Sequence, residues 1–101
     1  STASWDAPAN SYFNVSAQEI SPVGLFFKDD GTKMYILGSL GDDVNEYNLS
    51  TAWDISTASY VQNFSVFAQE NNPQGLFFKD DGTKMYIIGS LRDAVWAYSL
   101  V

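Results

Sequence analysis

Gly24-Leu25-Phe26-Phe27-Lys28-Asp29-Asp30-Gly31-Thr32-Lys33-Met34-Tyr35-Ile36 occurs twice without a change, at 24–36 and again at 75–87, an offset of 51 residues. The stretch joins two short apolar runs, Leu25–Phe27 and Met34–Leu37, through Asp-Gly. Glycine accepts positive φ and aspartate tolerates it, so two β-prone runs around Asp-Gly predict a hairpin. Neither run alternates between apolar and polar. Met34 and Ile36 point one way, Tyr35 and Leu37 the other, and all four are apolar. Strands of that kind are covered on both faces.

The likeness between the copies extends outward. Phe13-Asn14-Val15-Ser16-Ala17-Gln18-Glu19 matches Phe64-Ser65-Val66-Phe67-Ala68-Gln69-Glu70, Gly38-Ser39-Leu40 matches Gly89-Ser90-Leu91, and Val44, Tyr47 and Leu49 match Val95, Tyr98 and Leu100. A unit of this length with four short strands is the pattern of a propeller blade. No 3.6-residue apolar period is present to support a helical repeat.

Pro22-x-Gly24-Leu25-Phe26-Phe27, then Asp30-Gly31-Thr32-Lys33-Met34-Tyr35-Ile36, then Val44-x-x-Tyr47-x-Leu49-Ser50-Thr51, resembles a blade of the YVTN/NHL-type β-propellers. The resemblance covers nearly the whole chain. It implies an all-β fold of four-stranded antiparallel blades, and it says little about activity, because propellers host many functions. The near identity of the copies fits recent duplication or deliberate construction from one blade.

Read in order, the chain has a link over 1–8, a strand over 11–17 and a loop over 18–22. Strands follow near 24–28, 33–38 and 44–49. A second link, 50–57, leads to a strand over 59–68. After the Asn71-Asn72-Pro73 loop, strands recur near 75–79, 84–89 and 94–100, and no helix is expected. With blade strands named a to d from the inside out, the order is d, a-b-c-d, a-b-c. The chain is then one two-blade unit over 1–101. Residues 1–21 form a link and an outer strand for a neighbouring chain, 22–72 the first blade, and 73–101 strands a to c of the second.

Blades apolar on both faces need neighbours on both sides, and unpaired strand edges invite association. The economical solution is a ring of identical chains joined head to tail, with strand 11–17 beside Val95–Leu100 of the neighbour. A homotrimer of six blades is favoured and a homotetramer of eight is the variant. A junction between copies would separate Phe64 from the next Phe13 by 50 residues, close to the internal 51, and the link STASWD resembles STAWD at 50–54. A self-contained sandwich of two four-stranded sheets, capturing its own N-terminal strand, is the alternative.

Composition narrows the function. There is no Cys and no His, which removes disulfides, thiolate metal sites and imidazole catalysis. A net charge of −7 disfavours nucleic acid as a partner. No apolar run approaches the roughly 20 residues of a membrane helix. Asp29-Asp30 and Asp80-Asp81 could suggest calcium, but adjacent Asp side chains diverge, and a solvated hairpin tip is the reading taken. Glu19, Glu46 and Glu70 are carboxylates that could converge on one face as in glycosidases, yet nothing selects them, and no catalysis is expected. The acceptor patterns at Asn14, Asn48 and Asn63 are read as chance. No cofactor or metal is expected, and the sequence leaves the compartment open.

The two copies differ at 12 of 38 aligned positions, and seven of these lie in or beside the d–a and b–c connections. Ile20, Ser21 and Val23 become Asn71, Asn72 and Gln74, while Gly41, Asp43, Asn45 and Glu46 become Arg92, Ala94, Trp96 and Ala97. Both connections emerge at one end of an up-and-down blade. Asn71, Asn72, Gln74, Arg92 and Trp96 therefore form a candidate ligand surface, an aromatic platform with amide donors suited to sugars or peptides. The competing reading packs Trp96 between blades with Tyr98 and Leu100. Trp5 and Trp53, each followed by Asp, are read as structural anchors, with Asp6 and Asp54 as turn-forming or capping groups of the links. Self-assembly is the function expected first, and multivalent lectin-like binding is the alternative.

Overall fold

The computed structural model describes residues 2–5 and 12–100. Seven strands form: β1 Pro22–Phe27, β2 Lys33–Gly38, β3 Asp43–Leu49, β4 Ala58–Ser65, β5 Pro73–Phe78, β6 Lys84–Gly89 and β7 Ala94–Ser99. They make two antiparallel sheets, one of four strands in the order β1-β2-β3-β4 and one of three in the order β5-β6-β7. The repeat is therefore an up-and-down meander. Equivalent strands pair in equivalent registers, with Phe26 opposite Tyr35 and Phe77 opposite Tyr86.

The repeated hairpin forms where Asp-Gly places it. Gly31 and Gly82 take φ of 74° and 73°, a region in which a β-carbon is strained. Asp30 Oδ1 accepts from the Thr32 amide and hydroxyl at 3.0 and 2.6 Å, and Asp81 does the same with Thr83 at 3.0 and 2.6 Å. The Thr83 hydroxyl and amide, with Lys79, hold the Asp81 carboxyl down at about 2.

The sheets meet through β1 and β2 against β5. Leu37 and Val44 from the first sheet close over Phe78, Met85 and Ile87 from the second, with Val66 completing the cluster. Tyr35 stacks on Phe78 with ring centres 4.1 Å apart. A second cluster, Met34, Ile36, Tyr47 and Leu49, lies on the other face of the first sheet under Phe13 and Val15. Coverage of both faces thus holds for β2. In β6, Met85 and Ile87 are buried but Ile88 is exposed.

Three expectations change in detail. The link at 50–57 contains a short 3-10 turn, Ile55–Thr57, because Asp54 accepts from the Ser56 amide and caps it. The strand expected to reach Ala68 ends at Ser65, where the Val66 carbonyl takes the amides of Gln69 and Glu70 in a turn. The strand expected over 11–17 beside a neighbouring chain is not formed within a single chain: Ser11 lies outside the described residues, 12–15 have no ladder partner, and 16–18 make a turn. A strand exists only where another backbone satisfies its N–H and C=O groups, and no described segment of this chain lies beside 12–15 to do so. The observed order is accordingly a sheet of four strands followed by a sheet of three.

Candidate functional site

Each sheet brings the loop before its first strand against the turn between its second and third. In the first sheet the Ser39 amide donates to the Ser21 carbonyl at 3.0 Å, and in the second the Ser90 amide donates to Asn72 at 3.2 Å. The two connections that differ most between the copies therefore share one end of each sheet.

A buried carboxylate locks each junction. Glu19 accepts from the Ser21 and Gly41 amides at 2.9 and 3.2 Å. Glu70 accepts from the Asn72 and Leu91 amides, both at 3.0 Å, and from the Trp96 indole at 3.1 Å. Gly38 and Gly89 leave the room: a β-carbon there would lie 1.8 Å from Glu19 and 2.0 Å from Glu70. These carboxylates are occupied by backbone donors. Glu46, by contrast, accepts from Lys33 and Gln62 at 3.0 and 3.1 Å beside the outer strands. Convergence of Glu19, Glu46 and Glu70 on one catalytic face has no counterpart in these contacts.

Of the candidate ligand residues, Asn72 and Gln74 come together, both donating their side-chain amides to Ser90 Oγ, Gln74 at 3.3 Å. Gln74 and Ser90 border a hollow of about 260 Å³ with Ile88 and Asp93. Asn71 and Arg92 are exposed on the same end of the sheet. Trp96 is half-buried, and its indole N–H is turned to Glu70 rather than outward.

The first sheet carries a polar set at the matching place. Asp43 accepts from the Asn45 and Asn63 amides at 3.1 and 2.9 Å. Asp42, in the left-handed region at φ 51°, is buried, and its Oδ1 has no hydrogen-bond partner. Burial, and then the charges of Glu19, Asp43 and Glu70, push its carboxyl above the usual range. Burial raises Asp43 as well. Among the described residues no group of three or more ligating side chains is positioned to hold a metal ion, and no helix is long and apolar enough to cross a membrane.

The larger unexplained surface is apolar. Phe77, Ile88 and Val95 stand on the outer face of the second sheet at 56, 51 and 65% exposure. One repeat earlier the same positions are Phe26, Leu37 and Val44, which pack against the second sheet, with Leu37 and Val44 at 0%. Sequence reasoning found the need for a neighbour but did not single out these side chains. The 51-residue offset was the signal that could have named them. No family model matches the chain, and no curated protein matches it.

Proposed function

We propose that the chain is a self-assembling β-propeller unit without catalytic activity, whose two sheets act as blades and whose copies join head to tail until a ring closes. Three copies with six blades are favoured over four with eight. The observation that carries the reading is the inequality between equivalent faces. Leu37 and Val44 are buried by the following sheet, while Ile88 and Val95, in the same positions of the second sheet, are exposed. Exposed apolar faces of this kind mark interaction surfaces. The complementary face is the one of Met34, Ile36, Tyr47 and Leu49, which repeat the Met85, Ile87, Tyr98 and Leu100 on which Leu37 and Val44 rest. Phe13 and Val15 lie on it as Phe64 and Val66 lie on the second sheet beside Leu37 and Val44. The open edge of β7, paired only with β6 among the described residues, supplies a backbone ladder for the segment around 12–15 of the next copy.

Native mass spectrometry of the parent chain and of Ile88→Asp tests this. The parent should appear as a closed set of copies and the variant as a folded single chain. Equal masses for both would remove the face from the account.

A second reading is carbohydrate or peptide binding, favoured by one observation: the Asn72 and Gln74 amides gather on Ser90 at the rim of a hollow. Glycan-array binding that is lost in Gln74→Ala would support it.

A further inference from the structure

We propose that two aromatic side chains of one copy complete the second sheet of the copy before it, Tyr12 standing opposite Trp96 and Trp5 filling the hollow beside Gly82. The inference rests on the head-to-tail reading and names the contacts that set its order and register.

The first support is a set of substitutions that change together. In the first sheet Asn45 lies directly opposite Asn63, and both amides donate to Asp43. One repeat later Asp43 becomes Ala94 and Asn45 becomes Trp96, and one repeat earlier Asn63 becomes Tyr12. A hydrogen-bonded polar trio is replaced by an apolar one, although two of its members lie at one end of the chain and the third at the other. Mixed pairings are penalised. Asn63 beside Ala94 would lose its acceptor, and Asp43 beside Tyr12 would lose a donor, each costly once desolvated. Matched pairings are favoured, because aromatic residues directly opposite on neighbouring strands attract. Trp96 is half-buried and Tyr12 is exposed, so each has surface to give.

The second support is a cavity with a filled counterpart. Trp53 lies over Gly31, where an added β-carbon would meet its ring at 2.5 Å, and its ring centre is 5.4 Å from Phe27. The equivalents one repeat on are Gly82 and Phe78. Nothing lies within 4 Å of a β-carbon built on Gly82. Instead Gly82 and Phe78 line a hollow of about 170 Å³ with Phe26 and Tyr35. Trp5 occupies the equivalent place in the other link and is 70% exposed. Trp53 and Asn63 are 10 residues apart, Trp5 and Tyr12 are 7 apart, and the difference equals the three-residue turn Ile55–Thr57.

The third support is the position of the segment itself. Phe13 and Val15 pack on the first sheet, with Phe13 edge-on to Tyr47 at 5.5 Å. Phe64 and Val66, their equivalents, pack on the second sheet while the backbone of β4 pairs with β3. The segment at 12–15 already holds the next-blade half of that lap joint, and its backbone has no ladder partner.

The chain contains no Cys, so engineered pairs report cleanly. Tyr12→Cys with Trp96→Cys, oxidised at high concentration, should give a ladder of covalent multiples on a denaturing gel. Tyr12→Cys with Ser99→Cys should give none. A ladder from the second pair and not the first, or a link within one chain, would overturn the pairing. In a dilution series, Trp96→Asn should raise the concentration at which the assembly half-dissociates by about fivefold to tenfold. Adding Tyr12→Asn and Ala94→Asp, which rebuilds the polar trio between copies, should reverse most of that rise. A triple variant no better than Trp96→Asn would overturn the pairing. Trp5→Ala should raise the same concentration, and an unchanged value would overturn the socket. A parent chain that is monomeric throughout would instead sink the head-to-tail reading beneath it.

Discussion

Glu70 receives the indole hydrogen of Trp96 at 3.1 Å while the same carboxylate holds two backbone amides. The loop before β5 is thereby fastened to the turn before β7 through one fully buried side chain. Glu70→Ala would leave those donors without an acceptor, and each buried unpaired group costs about 1–3 kcal/mol. The expected loss is roughly 2–5 kcal/mol by denaturant titration, with Glu70→Gln losing less. Gly89→Ala should cost a similar amount, because its β-carbon would lie 2.0 Å from the Glu70 side chain and would expel it. The double variant should cost little more than either alone, since both break the same lock. Full additivity would contradict it.

Asp42 and Asp43 predict an unusual response to acid. Their folded carboxyls are raised above the ordinary 3.8, chiefly by burial. A raised acid contributes stability below its unfolded pKa and loses that contribution as pH rises through its folded value. Asp81, held at about 2, behaves oppositely: its contribution is present above 3.8 and is lost as pH falls through about 2. From neutrality toward pH 4, the Asp42 and Asp43 contribution should therefore grow while that of Asp81 persists. Asp42→Asn should raise the thermal midpoint at pH 7 and flatten its dependence between neutrality and pH 4. A midpoint lowered at pH 7 would show that the Asp42 charge is stabilised by something other than these contacts.

Trp53 combines a favourable ring with an unfavourable backbone. Its side chain covers Gly31 and Phe27, yet its φ is 68°, where a β-carbon costs roughly 1–2 kcal/mol. Trp53→Ala loses the packing and keeps the strain. Trp53→Gly loses the packing and relieves the strain. The glycine variant should therefore be the more stable of the two by about 1 kcal/mol in a urea titration. The reverse order would mean that the left-handed backbone carries no cost there.

Much of the fold was legible because the repeat is verbatim. An Asp-Gly tip between Phe27 and Met34 fixes a hairpin wherever it occurs, and the offset of 51 carries one sheet onto the other. The turn at Ile55–Thr57 was partly legible: Asp54 reads as a turn-forming or capping group and does cap it, although no helical turn was expected there. The segment at 12–15 reads as a strand because its residues suit one, but a strand also requires a partner, and no described segment of the same chain pairs with it. The junction was the least legible part. Asn72 and Gln74 were identified as a pair of amides, but their meeting on Ser90 depends on how the loop folds back. Glu19 and Glu70 look like any other surface acids until Gly38 and Gly89 are found to make room for them. Trp96 has the composition of a binding platform, and only the geometry turns its N–H toward Glu70.

The most direct measurement is absolute mass by light scattering behind a size-exclusion column, over a dilution series. The account predicts three times the 11.2 kDa chain mass, unchanged on dilution until the assembly dissociates as a unit. A single-chain mass at every concentration would contradict it, since Phe77, Ile88 and Val95 would then remain uncovered in solution.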